Sequence, residues 1–301
     1  MNILITGGNG FVGKNLLRKL EPLQWNITIL DRNIPDPENR SDSVTFWQGD
    51  LLYQTGLKSL AAKSEPFDAI VHLAAMLPGS GDDIQMLRIN VDGTNNVIRY
   101  FAHPETQIIF LSSGLVYGAY CFQATEESTV APEHPYAKSK VLAEQCVLDF
   151  GDRHGNKTTI LRPSVLYGPG APKGMFIQSM LNALLENQEF PMTAGEQFRD
   201  FLHIDDAVEV LSRILRQRIP GVFNVASGEV VSISEVADRV AEISGKRNLI
   251  RKGVLPYREN ESFQYSLDAK KLRNVLQWKP QVLLENGLAD IWNHMNQEVI
   301  S

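Results

Sequence analysis

Short apolar runs and amphipathic stretches alternate along the first two-thirds of the chain. The runs at 2–6 (NILIT), 26–30 (NITIL), 44–48 (VTFWQ), 69–73 (AIVHL), 107–112 (QIIFLS) and 157–162 (KTTILR) are rich in Ile, Val, Leu and Thr and are largely apolar on both faces. That is the pattern of parallel strands covered on two sides. Between them, 11–20 (FVGKNLLRKL), 53–63, 83–102 and 135–150 (PYAKSKVLAEQCVLDF) carry apolar residues at helical spacing. Strand and helix in regular alternation predict one parallel sheet with helices on both faces. After about residue 165 the pattern loosens: a Pro/Gly loop at 167–174 precedes helix-like segments near 175–187, 205–217, 232–244 and 284–296, with short strands between them. The expected organisation is a nucleotide-binding domain over 1–165 and a smaller, helix-rich lobe over 166–301, with some segments near 200–217 packing back on the first domain. The polar, Pro-containing stretch 31–43 is expected to be a surface loop.

Composition narrows the partners. Of 301 residues, 43% are hydrophobic and 21% charged, enough to bury a full core. The net charge of −6 provides no global basic field for nucleic acid or anionic lipid. An anionic ligand must therefore meet locally placed arginines or helix N-termini. Cys121 and Cys146 have no metal-type spacing and the six histidines form no ligand cluster, so the expectation is two reduced thiols, no metal and a cytoplasmic protein. The apolar start is too short for a signal segment, and no apolar run approaches a membrane span.

Two short stretches carry chemistry. MNILITGGNGFVGKNL places a strand, a glycine-rich turn and a helix within sixteen residues. Gly7, Gly10 and Gly13 suit a tight turn, close backbone approach to a pyrophosphate, and close helix–strand packing. Asp31 ends the second strand eighteen residues after Gly13. A carboxylate there accepts from ribose hydroxyls and repels a 2′-phosphate, which favours NAD, although the adjacent Arg32 leaves NADP open. In HPYAKSKVLAE, Tyr136 and Lys140 lie four residues apart and share a helix face. A tyrosine is a poor base at neutral pH, and a nearby ammonium together with a positive nicotinamide ring is expected to lower its pKa.

The chain resembles the extended short-chain dehydrogenase/reductase family, in its NAD-dependent epimerase/dehydratase group acting on nucleotide sugars. The likeness rests on TGGNGFVG (6–13), GDL (49–51), VHLAA (71–75), NVDGTNNV (90–97), LSSGLVYG (111–118) and PYAKSK (135–140). It continues through LRPSVLYGPG (161–170), RDFLHIDDAV (199–208), FNVASGEVVSISEVA (223–237) and LDAKKLRNVLQWKP (267–280). The resemblance implies a Rossmann-type doubly wound fold, with Ser113, Tyr136 and Lys140 as catalytic residues. For the cofactor it implies Gly7, Gly10, Phe11, Val12 and Gly13 at the turn and Asp31 at the ribose. Asp50 and Leu51 fall at the adenine, Leu73, Ala74 and Ala75 along the cofactor, and Asn90, Tyr136, Lys140 and Pro163 nearby. Arg199 and Arg258 correspond to arginines that reach the diphosphate of the sugar nucleotide, while Ser113 and Tyr136 also meet the substrate. Tyr117 and Tyr167 fit either a pocket lining or plain packing. A homodimer built on the helices near 84–102 and 135–150 is the family expectation.

The two residues after Ser113 narrow the reaction. Family dehydratases carry an Asp-Glu pair there, and a related decarboxylase group a glutamate at the second position; this chain has Gly114 and Leu115. Neither moves a proton, which disfavours dehydration. The remaining readings are an epimerase working through a 4-keto intermediate, a 4-ketoreductase of a 4-keto-6-deoxy sugar nucleotide, and, more remotely, a cofactor-sensing protein without catalysis. Val165 stands where many sugar-nucleotide members have asparagine.

Overall fold

The computed structural model describes residues 1–35, 43–118, 121–259 and 261–300; most of the loop expected over 31–43 lies outside the described residues. The chain divides into two compact units, and the division is not a single cut. The first takes 1–118, 129–162 and 208–223; the second takes 119–128, 163–207 and 224–301.

A seven-stranded sheet runs in the order Gly221–Val225, Thr158–Pro163, Gln107–Leu111, Ala69–His72, Asn2–Thr6, Asn26–Asp31, Val44–Gln48. Every neighbouring pair whose register is described is parallel. The order reverses at Asn2–Thr6, so the first and fourth strands leave a crevice outside their carboxyl ends, where doubly wound sheets bind ligands. Alternation explains why these strands are apolar throughout. Leu4, Leu30 and Ile70 join Leu57, Val97 and Phe101 in one core cluster, while Ile3, Ile5 and Ile29 point the other way and are equally buried.

Helix Pro135–His154 begins with Pro135 in its first turn, capped by the His134 side chain accepting from the Tyr136 N–H, and stops at Gly155 in the left-handed conformation, φ +76°. The stretch 83–102 is not one uniform helix. It runs as α-helix over Asp83–Leu87, widens to a π-helical turn over Arg88–Asp92, and resumes as α-helix over Gly93–Phe101. Thr94 Oγ1 donates 2.6 Å to the Asn90 carbonyl inside that wide turn.

The second unit is richer in sheet than its sequence pattern predicts. Val230–Ser232, Phe198–His203, Gln264–Leu267 and Cys121–Ala124 form a sheet in that order, and Val165–Tyr167 also pairs with Phe198–His203. Its core gathers Met180, Leu184, Phe201, Val236, Leu288 and Trp292. No described helix is long and apolar enough to cross a membrane.

Candidate functional site

The glycine turn is built for contact with something other than side chains. Gly7 sits at φ +69°, and a Cβ there would lie 2.7 Å from the Ala74 backbone; one on Gly13 would lie 2.5 Å from Gly8. Gly7 thus lets the loops after the first and fourth strands cross closely, and Gly13 seats helix Phe11–Leu20 on the turn. Gly10 is the exposed residue before that helix, in extended conformation and with no side-chain cap. The free N–H groups of the first helical turn are therefore available to an anion, and Phe11 and Val12, half-buried, begin it. A bare backbone cradle at a helix N-terminus fits a dinucleotide pyrophosphate.

Asp31 faces this turn: its carboxylate accepts from the Asn9 and Asn33 N–H groups, each at 3.3 Å. Asp50 is exposed and closes a local turn onto the Leu52 N–H at 2.8 Å. The Leu51 side chain belongs to the core, and its carbonyl accepts from Asn96 at 2.8 Å. Leu73, Ala74 and Ala75 are half-buried, with Leu73 N and Ala74 N donating to the Thr6 carbonyl and hydroxyl. Asn90 does not offer its amide hydrogens outward. They go to the Met76 carbonyl at 3.1 Å and to Ser139 Oγ at 2.8 Å, while Oδ1 accepts from Met76 N–H. Asn90 thereby ties the segment after the fourth strand to the Tyr136 helix. Pro163 is buried at the end of its strand.

Tyr136 and Lys140 share a buried face as their spacing predicts. Lys140 Nζ lies 5.8 Å from the centre of the Tyr136 ring and 4.7 Å from that of Phe110. It donates 2.7 Å to the Leu111 carbonyl, two residues before Ser113. Burial of a charge with so little water pulls the Lys140 ammonium down to about 7, with Glu144 acting in the opposite direction. The Tyr136 phenol, packed with Met76 and Met86, is pushed up by the same burial. In the protein alone, burial of the phenolate sets this direction; the expected lowering concerned Lys140 together with the nicotinamide charge. Ser113 begins a tight turn over Gly114–Tyr117, its hydroxyl accepting from the Leu115 N–H at 3.2 Å.

Sequence reasoning missed what stands behind this group. Glu144 accepts from Arg162 Nε at 3.0 Å and Nη2 at 2.6 Å and from the Ser112 hydroxyl, while Arg162 Nη1 donates 2.8 Å to Tyr117 Oη. Burial works against the guanidinium's charge, but Glu144 and Tyr117 more than offset it and hold its pKa above the ordinary value. Two signals were present: Glu144 is one turn beyond Lys140, and Arg162 interrupts an apolar strand. His72, between Thr6 Oγ1 at 2.6 Å and Thr94 Oγ1 at 2.9 Å, is likewise buried and is brought down to about 3, by desolvation first and Lys140 second.

In the second unit, Arg199 is half-buried and paired with Glu261 at 3.2 Å; its Nη1 also donates to the Phe198 carbonyl. Arg258 is exposed. The carboxylate of Asp200, next to Arg199, accepts from Ser164 Oγ, Ser227 N–H and Gly228 N–H, an anchoring role. Tyr167 is buried in the core, against Phe201 and His203.

A profile described as the NAD dependent epimerase/dehydratase family matches residues 3–226. Among curated proteins, a putative UDP-glucose 4-epimerase of Methanocaldococcus jannaschii is 28% identical, covering 97% of this chain and 98% of its own. A dTDP-glucose 4,6-dehydratase of Streptomyces niveus is 27% identical, covering 96% and 91%. Proteins named as decarboxylases stand beside them. A solved UDP-glucuronic acid 4-epimerase of Bacillus cereus, in complex with UDP-glucuronic acid and NAD, is 26% identical with a TM-score of 0.88 over 99% of this chain and 100% of that one.

Proposed function

The chain belongs to the NAD dependent epimerase/dehydratase family, and from that premise we propose that it epimerises a nucleotide sugar through a 4-keto intermediate. NAD supplies the hydride acceptor and, on return, the hydride donor. Gly7, Gly10 and Gly13, with Phe11 and Val12, hold its pyrophosphate at the helix N-terminus, and Asp31 accepts from its adenosine ribose. Tyr136 takes the proton of the C4 hydroxyl as the alcohol is oxidised and gives it back to the ketone oxygen on reduction. Ser113 holds that oxygen by hydrogen bonding. Lys140 lies beside the phenol, and its ammonium together with the positive charge that an oxidised nicotinamide would supply would favour the phenolate that burial disfavours. Arg199 and Arg258 are assigned to the diphosphate on the strength of the resemblance.

The observation that carries the reading is Tyr136 and Lys140 on one buried helix face, with Lys140 donating to the Leu111 carbonyl two residues before Ser113, and Ser113 followed by two residues without a transferable proton. Relatives named as dehydratases are as similar as those named as epimerases, so the preference against dehydration rests on Gly114 and Leu115 alone, the latter 40% exposed. Elimination of water needs an acid and a base beyond Tyr136, and that segment provides neither. The test is to denature purified protein, identify what is released, and assay UDP-, dTDP-, GDP- and CDP-sugars. Bound NAD with interconversion of C4 epimers and no net consumption of cofactor supports the epimerase. Stoichiometric use of reduced cofactor indicates the 4-ketoreductase, and a 4-keto-6-deoxy product the dehydratase. A homodimer belongs to the same proposal: Ile84 and Leu142, apolar and 72% and 49% exposed, lie on the helical segments expected to pair. A monomer at micromolar concentration in sedimentation rejects it.

A further inference from the structure

We infer that the buried Glu144–Arg162 pair is the positioning device for the Ser113 turn and for Lys140, an assignment that rests on the hydride-transfer reading above. Its contacts bracket the catalytic serine. Glu144 accepts from Ser112 on one side of Ser113, and Arg162 donates to Tyr117, the last residue of the turn that Ser113 begins. The guanidinium also lies over the Tyr117 ring, 5.0 Å from its centre. The pair thus fixes both ends of the six-residue segment 112–117, within which the Ser113 hydroxyl must be in line with the substrate oxygen. The same carboxylate sits one helical turn beyond Lys140 and favours its charged form. Lys140 is otherwise faced by Tyr136 of its own helix and by His72 of strand Ala69–His72.

Stability does not account for the pair. Both side chains are buried, 7% and 5% exposed, and replacing such a pair by apolar groups of similar volume is often neutral or stabilising, whereas removing one partner is strongly destabilising. That asymmetry supplies the experiment. In the cofactor-loaded enzyme, Glu144→Leu combined with Arg162→Met is expected to melt near the parent and to keep its cofactor. Its kcat is expected to fall about 100-fold while KM moves less than about threefold. Wild-type kcat at wild-type melting temperature overturns the proposal. Arg162→Lys keeps the charge but has no planar fork to meet both Glu144 oxygens while donating to Tyr117; it is expected to lose about tenfold in kcat, and an unchanged kcat there overturns the proposal even if the double variant does not fold. Tyr136→Phe serves as the reference. If its turnover is unchanged, the hydride-transfer reading falls and this inference with it; if Tyr136 is required but the double variant is fully active, only the role of the pair falls.

Discussion

Lys140 and Arg199 are cations handled in opposite ways by the two units. Lys140 is 3% exposed, its ammonium satisfied by a main-chain carbonyl and two aromatic faces, and burial brings it down to about 7. Arg199, with its side chain 17% exposed, is also pulled down by burial, with the Glu261 carboxylate opposing. A lysine so placed gains or loses its charge near neutrality, whereas a guanidinium keeps its charge and matches two oxygens at once. Under the proposed function, the first supports proton transfer at Tyr136 and the second anion recognition. It also separates their expected signatures, since a group used only in the transition state affects kcat and a group binding substrate and transition state alike affects KM.

The largest effect tests the proton-transfer side. Tyr136→Phe is expected to cut turnover about 10³-fold while leaving cofactor and nucleotide-sugar binding within a few-fold, read by steady-state kinetics and calorimetric titration. Next comes Arg199→Ala, expected to raise KM about 10- to 100-fold with kcat nearly constant. Glu261→Gln sharpens the contrast: with its carboxylate partner neutralised, Arg199 is free for the diphosphate, and KM is expected to drop. A fall in kcat at constant KM in Arg199→Ala would erase the distinction between the two cations.

Burial in the first unit also predicts an acid response. His72 is held down to about 3 from an ordinary 6.5. In that window the unfolded chain carries a proton that the folded chain does not, so stability is lost as pH falls below 6.5. Between pH 6.5 and 5 this amounts to about 2 kcal/mol. Denaturant unfolding across that range is expected to show the slope, and His72→Gln to flatten it.

The first unit was legible because its signals are local. Gly7, Gly10 and Gly13 occupy consecutive helical-turn spacings, Tyr136 and Lys140 are four apart, and each core strand is apolar at successive positions. The sheet of the second unit includes Val165–Tyr167 and Val230–Ser232, of three residues each, and Cys121–Ala124 and Gln264–Leu267, of four, too brief for a period-2 pattern to declare itself. The π-helical turn was hidden for a different reason: Asn90 within it and Thr94 just after it make contacts with positions distant in sequence, Met76 and Ser139 for Asn90 and His72 for Thr94. The Glu144–Arg162 pair combines residues eighteen apart, and only the sheet–helix packing brings them together. Arg199 was legible as a cation, but its engagement by Glu261 was not, since 62 residues separate them.

The smallest expected effect concerns which dinucleotide the glycine turn accepts. Asp31 is half-buried and directed at the turn by the Asn9 and Asn33 N–H groups. In a partly solvated site a carboxylate and a phosphate a few ångströms apart repel by about 1 kcal/mol or more. Asp31→Asn retains a side-chain oxygen acceptor of the same shape while removing the charge. The ratio of NAD to NADP affinity, measured by titration at fixed ionic strength, is expected to fall about five- to tenfold with little change in melting temperature. Screening gives the result its meaning: if the charge is responsible, raising salt narrows the wild-type ratio and leaves that of Asp31→Asn nearly flat. An unchanged ratio in the variant would transfer discrimination to the hydrogen bond with the ribose, or to Arg32, whose exposed side chain comes directly after it in the chain.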